Sequence, residues 1–561
     1  MSTLSGGQPP AARSNSTYVP IDEMIAMKPE ALWKRPALKR FPAPKRAEHF
    51  DVVVIGGGIT GLTTAYLLKQ AGKKVGVLER DKIGSGDTGY TSAHLTYVTD
   101  LRAAELVNTF GLAAARLVWQ AGATAIDAIE GIVADESVEC DFRRVPGFLH
   151  APRNKKRDER ATLEKDLDAA RQMGFAVHYE PRVPLLACEG LRFPDQAKFD
   201  PLKYLAGLAS AIDGDGSRIF ENSEVDEVSD DPLHVVVKNH KLTTDYVVIA
   251  THVPLMGKSG LMSAALLQTK LYSYSSYVIG AKVPRERLPE ACFWDTADPY
   301  HYLRVEAGAT RDYVIYGGHD HKTGQVADTQ ERFDSLASEL REIVPGAEPD
   351  RQWSGQVVET NDGLPYIGES AENQFVATGF SGNGMTFGTL AGMMARDAVL
   401  NRENPWKKLF AVDRKKLRGG TWDYVAENID FPYYYLKDRL FKTADASARG
   451  IAPGEGKIVQ IGGEHVACAR DDDGTLHKVS AVCTHMGCLV RWNGAEHTWD
   501  CPCHGSRFHL DGKVLAGPAE TPLEPVKAAT KSTAKGKSAA NGTKSAPKKK
   551  KQPSRKFKSR K

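Results

Sequence analysis

The sequence predicts an α/β nucleotide-binding domain joined to an α+β portion with an antiparallel sheet, and a small C-terminal domain built around cysteine and histidine. Three observations predict it. A strand, glycine turn, helix and second strand follow one another within about 30 residues from Asp51. Residues 270–320 alternate apolar and polar side chains and are rich in aromatics, as in antiparallel strands. Five of the eight cysteines (Cys468, Cys483, Cys488, Cys501 and Cys503) crowd the C-terminal part, whereas Cys140, Cys188 and Cys292 are scattered. A disulfide scaffold would spread them, so this clustering points to a metal or redox site.

Length and charge set the frame. The 561 residues suffice for about three to four domains. From Lys527 to Lys561 there are 14 Lys or Arg and no Asp or Glu. The rest then holds 60 basic against 70 acidic residues, so the basic pI describes an appendage on an acidic body. Residues 527–561 have one aromatic, Phe557, and no Val, Ile or Leu, too little apolar surface to offset ordering entropy. This predicts a disordered tail, solvated or weakly binding polyanions. Residues 1–49 read as a polar, Pro-rich lead-in without the apolar run of a signal peptide. No window approaches about 18 consecutive apolar residues. The expectation is a cytoplasmic enzyme without a transmembrane segment.

In chain order, Asp51–Ile55 reads as a strand buried on both faces. Leu62–Ala71 is a helix closed by Gly72, and Lys74–Leu78 a second strand. Residues 157–173 carry a charged helical pattern that stops at Gly174. Asp200 as N-cap and Pro201 at the first helical position open another helix. Strands are expected at 218–221, 234–238, 246–250 and 374–378, and a helix at Gly384–Leu400. Residues 402–450 lack clear periodicity and carry Trp406, Trp422 and Tyr433–Tyr435, which suggests a linker packed on the surface. A compact domain follows from about Ile451 to Val526.

The glycine turn is Gly56-x-Gly58-x-x-Gly61. Gly56 permits the tight turn, Gly58 lets a pyrophosphate approach the backbone, and Gly61 allows close helix–strand packing. The helix N-terminus offers free N–H groups and a positive dipole end to phosphates. Glu79, at the end of the second strand with Arg80 beside it, is placed for a ribose hydroxyl. The motif alone does not choose between FAD and NAD. Two further segments do: the strand Asp245–His252, and Asp362–Gly368 followed by Ala377–Gly388, a strand, glycine-rich turn and helix. Over about 51–400 the chain resembles the D-amino-acid, glycine and sarcosine oxidase family of FAD enzymes. The resemblance implies a Rossmann-type FAD part at about 50–110, 200–255 and 355–401. It places the substrate part at about 111–199 and 256–354. It also sets Gly379, Gly382, Gly384 and Met385 against the flavin. No second glycine motif for NAD(P)H is present.

The C-terminal cysteines form Cys483-x-His485, 15 intervening residues, and Cys501-x-x-His504. A Cys2His2 zinc site is the alternative, but zinc fingers hold their cysteine pair and histidine pair in separate blocks. Residues 451–526, including Gly517-Pro518-Ala519, resemble Rieske domains, which implies a small all-β fold and a 2Fe–2S cluster. By that resemblance Cys483 and Cys501 bind one iron, His485 and His504 the other, and Cys488 and Cys503 form a disulfide. Ser506 matches a hydroxyl that hydrogen-bonds the cluster. Phe508 stands where a tyrosine often donates a second bond, so a potential below that of respiratory-type Rieske centres is expected. Phe508→Tyr raises it, as a redox titration checks.

The two resemblances together imply hydride transfer from a C–H beside nitrogen to flavin, with electrons passed singly through the cluster. The expected partners are a small amine or amino acid and an acceptor that is O2, a quinone or a redox protein. His94 and Tyr97 fall where the family wraps the flavin. Arg304 could clamp a carboxylate or lie elsewhere as a surface or ribose-side arginine. His319 and His321 are candidates for substrate contact, with a structural role favoured. Cys292 precedes a stretch like that after the flavin-linked cysteine of sarcosine oxidases, but a buried free thiol is favoured. Two further readings are an electron-transfer protein serving a separate partner, and a redox sensor.

Overall fold

A computed structural model describes residues 27–153, 159–184, 186–254, 270–414 and 448–526. The lead-in before residue 27, Trp422, Tyr433–Tyr435 and the basic tail lie outside the described residues. Through Pro525 the described chain packs as one compact unit.

The nucleotide portion begins with β1 (Glu48–Ile55), α1 (Ile59–Gln70) and β2 (Val75–Leu78). Its apolar run is buried because both faces of the sheet are covered: Val52, Val53 and Val54 are fully buried. Next come α2 (Leu112–Asp135), β3 (Arg143–His150) and β4 (Gly190–Lys198). They are followed by α3 (Pro201–Ile212), β5 (Arg218–Phe220) and β6 (His240–Ile249). The Asp200 carboxylate accepts from the N–H groups of Leu202 and Lys203, as its cap position requires. α2 is long and apolar enough to cross a membrane by length and composition alone. It lies in the core instead, with Trp119, Ala121, Ala125, Ile126 and Ile129 fully buried.

The middle of the chain supplies β7 (Leu271–Pro284), β8 (Cys292–Asp295), β9 (Tyr302–Glu306) and β10 (Arg311–Lys322). It continues with α4 (Gln330–Ile343), β11 (Glu348–Thr360), β12 (Tyr366–Ala371), β13 (Gln374–Thr378) and α5 (Gly384–Val399). Two large sheets result. One has the order β12-β13-β6-β1-β2-β5, parallel except at β12 and where a hairpin at 227–237 pairs with the first half of β6. The other runs β11-β7-β10-β9-β8-β3-β4, with short strands at both ends, and is antiparallel except where β8 meets β3 and Lys28–Pro29 meets β11. α1 and α5 pack together over the first sheet. Of the segment from 402, residues up to 414 are described. They carry a short helix at Lys407–Phe410, a buried Phe410 and an Arg414–Asp362 ion pair.

The C-terminal portion has two small antiparallel sheets. One is β14 (Gly456–Ile461), β15 (Glu464–Arg470) and β16 (Leu476–Ser480). The other is β17 (Arg491–Asn493), β18 (Thr498–Asp500), β19 (Arg507–His509) and β20 (Val514–Ala516). Cys468 is fully buried in β15, away from both cysteine–histidine loops.

Candidate functional site

The glycine turn after β1 forms a cradle. Gly56 has φ +114°, and a Cβ there would sit 2.4 Å from the Ala250 carbonyl. A Cβ on Gly61 would sit 1.9 Å from the Gly56 carbonyl, so only glycine lets α1 start this close to β1. Glu79 accepts from the backbone N–H groups of Gly57 and Asp81, each at 2.8 Å. Burial raises its pKa despite those bonds. Thr88 Oγ1 accepts from the Ile59 N–H at the mouth of α1.

Gly56, Gly58, Glu79 and Arg80 line a cavity of about 800 Å³. Its other walls include Gly382, Gly384 and Met385 at the start of α5. Gly379 (φ +74°) is the turn residue behind them, with no room for a Cβ beside Thr360. Asp87 and His252 also face the cavity, paired at 2.7 Å. Burial would push the Asp87 carboxyl up, but His252 and the Gln356 N–H outweigh it and hold the pKa below the ordinary value.

One end of the cavity is an aromatic chamber walled by Trp119, Phe193, Trp294, Tyr300 and Tyr302. The Asp100 carboxylate accepts from the Gly382 N–H at 2.7 Å and lies beside Tyr300. Tyr302 and Ser276 hydroxyls meet at 2.9 Å. Burial raises the pKa of both tyrosines, so both phenols stay protonated at neutral pH. Asp100, Tyr300 and Tyr302 were not singled out from sequence. The alternation around Tyr300 gave only a strand signal, and the contact with Gly382 spans 282 positions.

Of the three predicted substrate-side residues, Arg304 and Tyr97 lie off the cavity and His94 faces it. Arg304 is 1% exposed. Its guanidinium donates to the carbonyls of Ser92, Ala93 and Phe199, pairs with Glu306 and stacks on Trp33. It is a structural tie: both terminal nitrogens are engaged, the partnerless Nε is buried, and the side chain does not line the cavity. Tyr97 turns into the core between Trp119 and Phe175, because Thr96 and Val98 take the cavity side. His94 does face the cavity, but Nδ1 meets the Ser92 hydroxyl at 2.9 Å and Nε2 the Leu303 carbonyl at 3.3 Å. Burial and the Arg304 charge hold its pKa down to about 3, so it is a neutral wall residue. Cys292 is fully buried and burial pushes its thiol up to about 12, as for a core cysteine. His319 pairs with Glu339, and His321 stacks on Tyr277.

The second site is two matching loops. Cys483 N–H donates to Cys488 O, and Gly487 N–H to Cys483 O. Cys501 N–H donates to Ser506 O, and Gly505 N–H to Cys501 O. Gly487 and Gly505 both adopt positive φ at the same turn position. Cys488 and Cys503 are joined by a disulfide that ties the loops together. Cys483 and Cys501 are free and buried, and the His485 and His504 rings lie 4.9 Å apart. Hydrogen bonding between the two sulfurs lowers the Cys483 pKa to about 7 and raises that of Cys501. His485 Nδ1 is buried without a hydrogen-bond partner. Two thiols, two imidazoles and an orphaned ring nitrogen fit a Cys2His2-held 2Fe–2S cluster. The Ser506 hydroxyl accepts from the Ala519 N–H and hydrogen-bonds Cys483.

The loops are docked on the flavin side of the molecule. Gln356 Nε2 donates to Gly505 O at 2.7 Å, and Gln325 Nε2 to Pro502 O at 3.1 Å. A Cβ on Gly324 would come within 2.9 Å of the Cys501 carbonyl carbon. Arg507, buried and paired with Glu496 and Asp500, reaches Ser354 of β11. Arg507 and residues 515–520 line the same cavity as the glycine cradle, and Arg80 donates to Leu515 O.

Comparison with known proteins agrees with this geometry. Residues 51–398 match the model of the FAD dependent oxidoreductase family, and residues 442–528 that of the Rieske [2Fe-2S] domain. A Bacillus subtilis (strain 168) protein described as a Rieske 2Fe-2S iron-sulfur protein, YhfW, is 34% identical over 505 residues, covering 89% of this chain and 97% of its own. The gamma-glutamylputrescine oxidoreductase of Escherichia coli (strain K12) is 26% identical over 415 residues, 70% of this chain and 93% of its own. Among solved structures, glycine oxidase from Geobacillus kaustophilus superposes with a TM-score of 0.54 at 20% identity, covering 66% of this chain and all of the other. The last likeness establishes the fold alone.

Proposed function

This chain belongs to the FAD dependent oxidoreductase family and carries a Rieske [2Fe-2S] domain. From that premise we propose that it oxidises the CH–NH bond of a small amine or amino acid and delivers the electrons singly through its own cluster. FAD, held here, would supply the hydride acceptor for a C–H beside nitrogen, and water would hydrolyse the resulting imine. The chain's own groups do the rest. Gly56, Gly58, Glu79 and the start of α1 would hold the dinucleotide. The turn at Gly382 to Met385 presents backbone N–H groups and a helix N-terminus to developing negative charge, with Asp100 fixing the turn. Trp119, Phe193, Trp294, Tyr300 and Tyr302 exclude water from the reacting C–H. Arg304, His94 and Tyr97 keep the wall in place.

One observation carries this reading: a single cavity is lined both by the glycine cradle and by residues 515–520 beside the cluster loops. The oxidised substrate yields two electrons and the cluster takes one, so each turnover needs two one-electron transfers to an outside acceptor. Met486 in the first cluster loop and Val482 at its base, 48% and 40% exposed, favour a redox protein or quinone as that acceptor. The test is anaerobic mixing of the purified holoenzyme with a panel of amines and amino acids. At least one should bleach the flavin and raise the EPR signal of a reduced Rieske cluster, with little peroxide formed in air. Flavin bleaching without any cluster reduction would overturn the reading.

A further inference from the structure

The clearest strained segment outside the cofactor sites lies in β10. Its pairing with β7 slips between Ser275 and Tyr277: Ser275 pairs with His321 and Tyr277 with Gly318, which leaves one extra residue on β10. Such a bulge re-aims side chains. Gly318 has φ +146° and His319 φ +57°, the left-handed region that a histidine enters at a cost. A Cβ on Gly318 would lie 2.8 Å from His301 Cδ2, so the glycine lets His301 lie against the bulge. The two imidazoles meet edge to face, 5.1 Å between centroids.

Glu339 of α4 completes the cluster. His319 Nε2 lies 3.0 Å from Glu339 Oε1, and His301 Nε2 lies 3.7 Å from Glu339 Oε2. All three ligand atoms fall within 4.8 Å of one another. His301 Nε2 is buried and has no hydrogen-bond partner. Two of the three ligands, His301 and Glu339, are also braced from behind. Asp295 Oδ2 takes His301 Nδ1 at 3.1 Å, and Asp295 Oδ1 accepts the His301 N–H. The Tyr316 hydroxyl donates to Glu339 Oε2. A carboxylate on the far nitrogen of an imidazole fixes the ring and makes its near nitrogen a better donor, the arrangement that supports metal-binding histidines.

We propose that His301, His319 and Glu339 form a divalent transition-metal site of the zinc type, separate from both redox centres. With neutral imidazoles, Asp295 and Glu339 give the cluster two negative charges, matched to a dication. Two imidazoles and one carboxylate are a zinc ligand set that leaves a fourth position for water. Zinc at about 2.0–2.1 Å from each donor needs donors a little over 3 Å apart, close to the 3.0 and 3.7 Å of the two histidine–carboxylate pairs. The ion ties β8, the 295–302 turn, β10 and α4 together directly behind Tyr300 and Tyr302, and so braces the chamber wall.

The experiment uses the full-length holoenzyme, dialysed against a mild chelator and titrated with zinc chloride against a chromophoric competitor, with iron and zinc measured by mass spectrometry. The expected result is one zinc per chain in addition to cluster iron, and a melting temperature that rises with zinc. His319→Asn removes the ligand without new strain, because asparagine tolerates positive φ. Glu339→Gln acts from the helix. Each should weaken zinc binding about tenfold or more while flavin and iron stay bound. If His319→Asn alone failed to fold, Glu339→Gln carries the same expectation. No zinc uptake by the wild type, or equal uptake by the variants, overturns the proposal. Equal uptake would place the zinc elsewhere, the cysteine–histidine loops included.

Discussion

Arg304 shows what a residue type conceals in a sequence. A lone arginine in a substrate-side strand reads as a carboxylate clamp or as a surface or ribose-side arginine, and burial makes it neither. Its guanidinium satisfies three carbonyls and Glu306 inside the protein. Arg304→Met leaves those acceptors unpaired, which should cost about 3–5 kcal/mol of stability. Thermal unfolding of the variant reads this as a lowered melting temperature, and any variant that retains flavin should keep an unchanged KM. His94 gives a pH prediction. Its folded pKa of about 3 lies below the unfolded value, so the unfolded chain binds a proton first as pH falls. The stability due to neutral His94 is full above about pH 6.5 and falls by up to about 1.4 kcal/mol per pH unit down to about pH 3. Melting temperatures of wild type and His94→Gln between pH 7 and 4 should converge toward the acid end. The glycine cradle and the cysteine–histidine loops were legible because their residue types are tied to backbone geometry and metal chemistry. Asp100, Tyr300 and Tyr302 were not, because ordinary residue types become a site only when distant strands meet.

At the scale of elements, local chemistry set legibility. Asp200-Pro201 announced α3 to the residue, and Gly174 the end of the helix Arg160–Gln172, where it adopts φ +88°. β6 starts at His240, earlier than the apolar run suggested, because a hairpin at 227–237 pairs with its first half. α2 went unread. It starts after Gly111 with no side-chain cap and no acidic first turn, so its signals are tertiary rather than local. α5 shows the opposite case, where glycines inside a helix mark a contact. A Cβ on Gly388 would lie 2.8 Å from Ile59 Cγ2, and one on Gly392 2.8 Å from Thr63 Cγ2 and 3.0 Å from the Thr64 backbone nitrogen. Replacing Gly392 by Val gains less than about 1 kcal/mol of helix propensity. Forcing α5 off α1 costs about 1–3 kcal/mol, so overpacking wins. α1 carries the cradle, so Gly392→Val should also weaken FAD retention. Gel filtration of the purified variant, with the flavin-to-protein absorbance ratio as readout, checks this.

Across the whole molecule, two parts that the sequence presents as separate modules, divided by an aperiodic stretch, are joined by buried polar contacts. Gln356 shows how. Its backbone N–H donates to Asp87, which faces the flavin cavity, and its side chain donates to Gly505, the residue after His504. It is 5% exposed and stands within β11, so it has little freedom to break either bond. One residue thus spans the wall between the cofactor cavity and the second cluster loop. An isosteric Gln356→Met keeps the backbone bond and removes the side-chain bond. Light-driven reduction of the flavin by an added tertiary amine supplies electrons without any substrate, and the cluster's absorbance follows their arrival. Transfer in Gln356→Met should slow, because the bridge between the cavity wall and the cluster loop is cut, with the flavin reduced as fast as in wild type. Gln325→Met, which cuts the neighbouring bond to Pro502 but does not line the cavity, should slow it far less. A redox titration of the Gln356→Met cluster separates a lost path from a shifted potential. An unchanged potential with slowed transfer assigns Gln356 to the path, whereas equal slowing in both variants would make the whole docked surface, and no single residue, responsible.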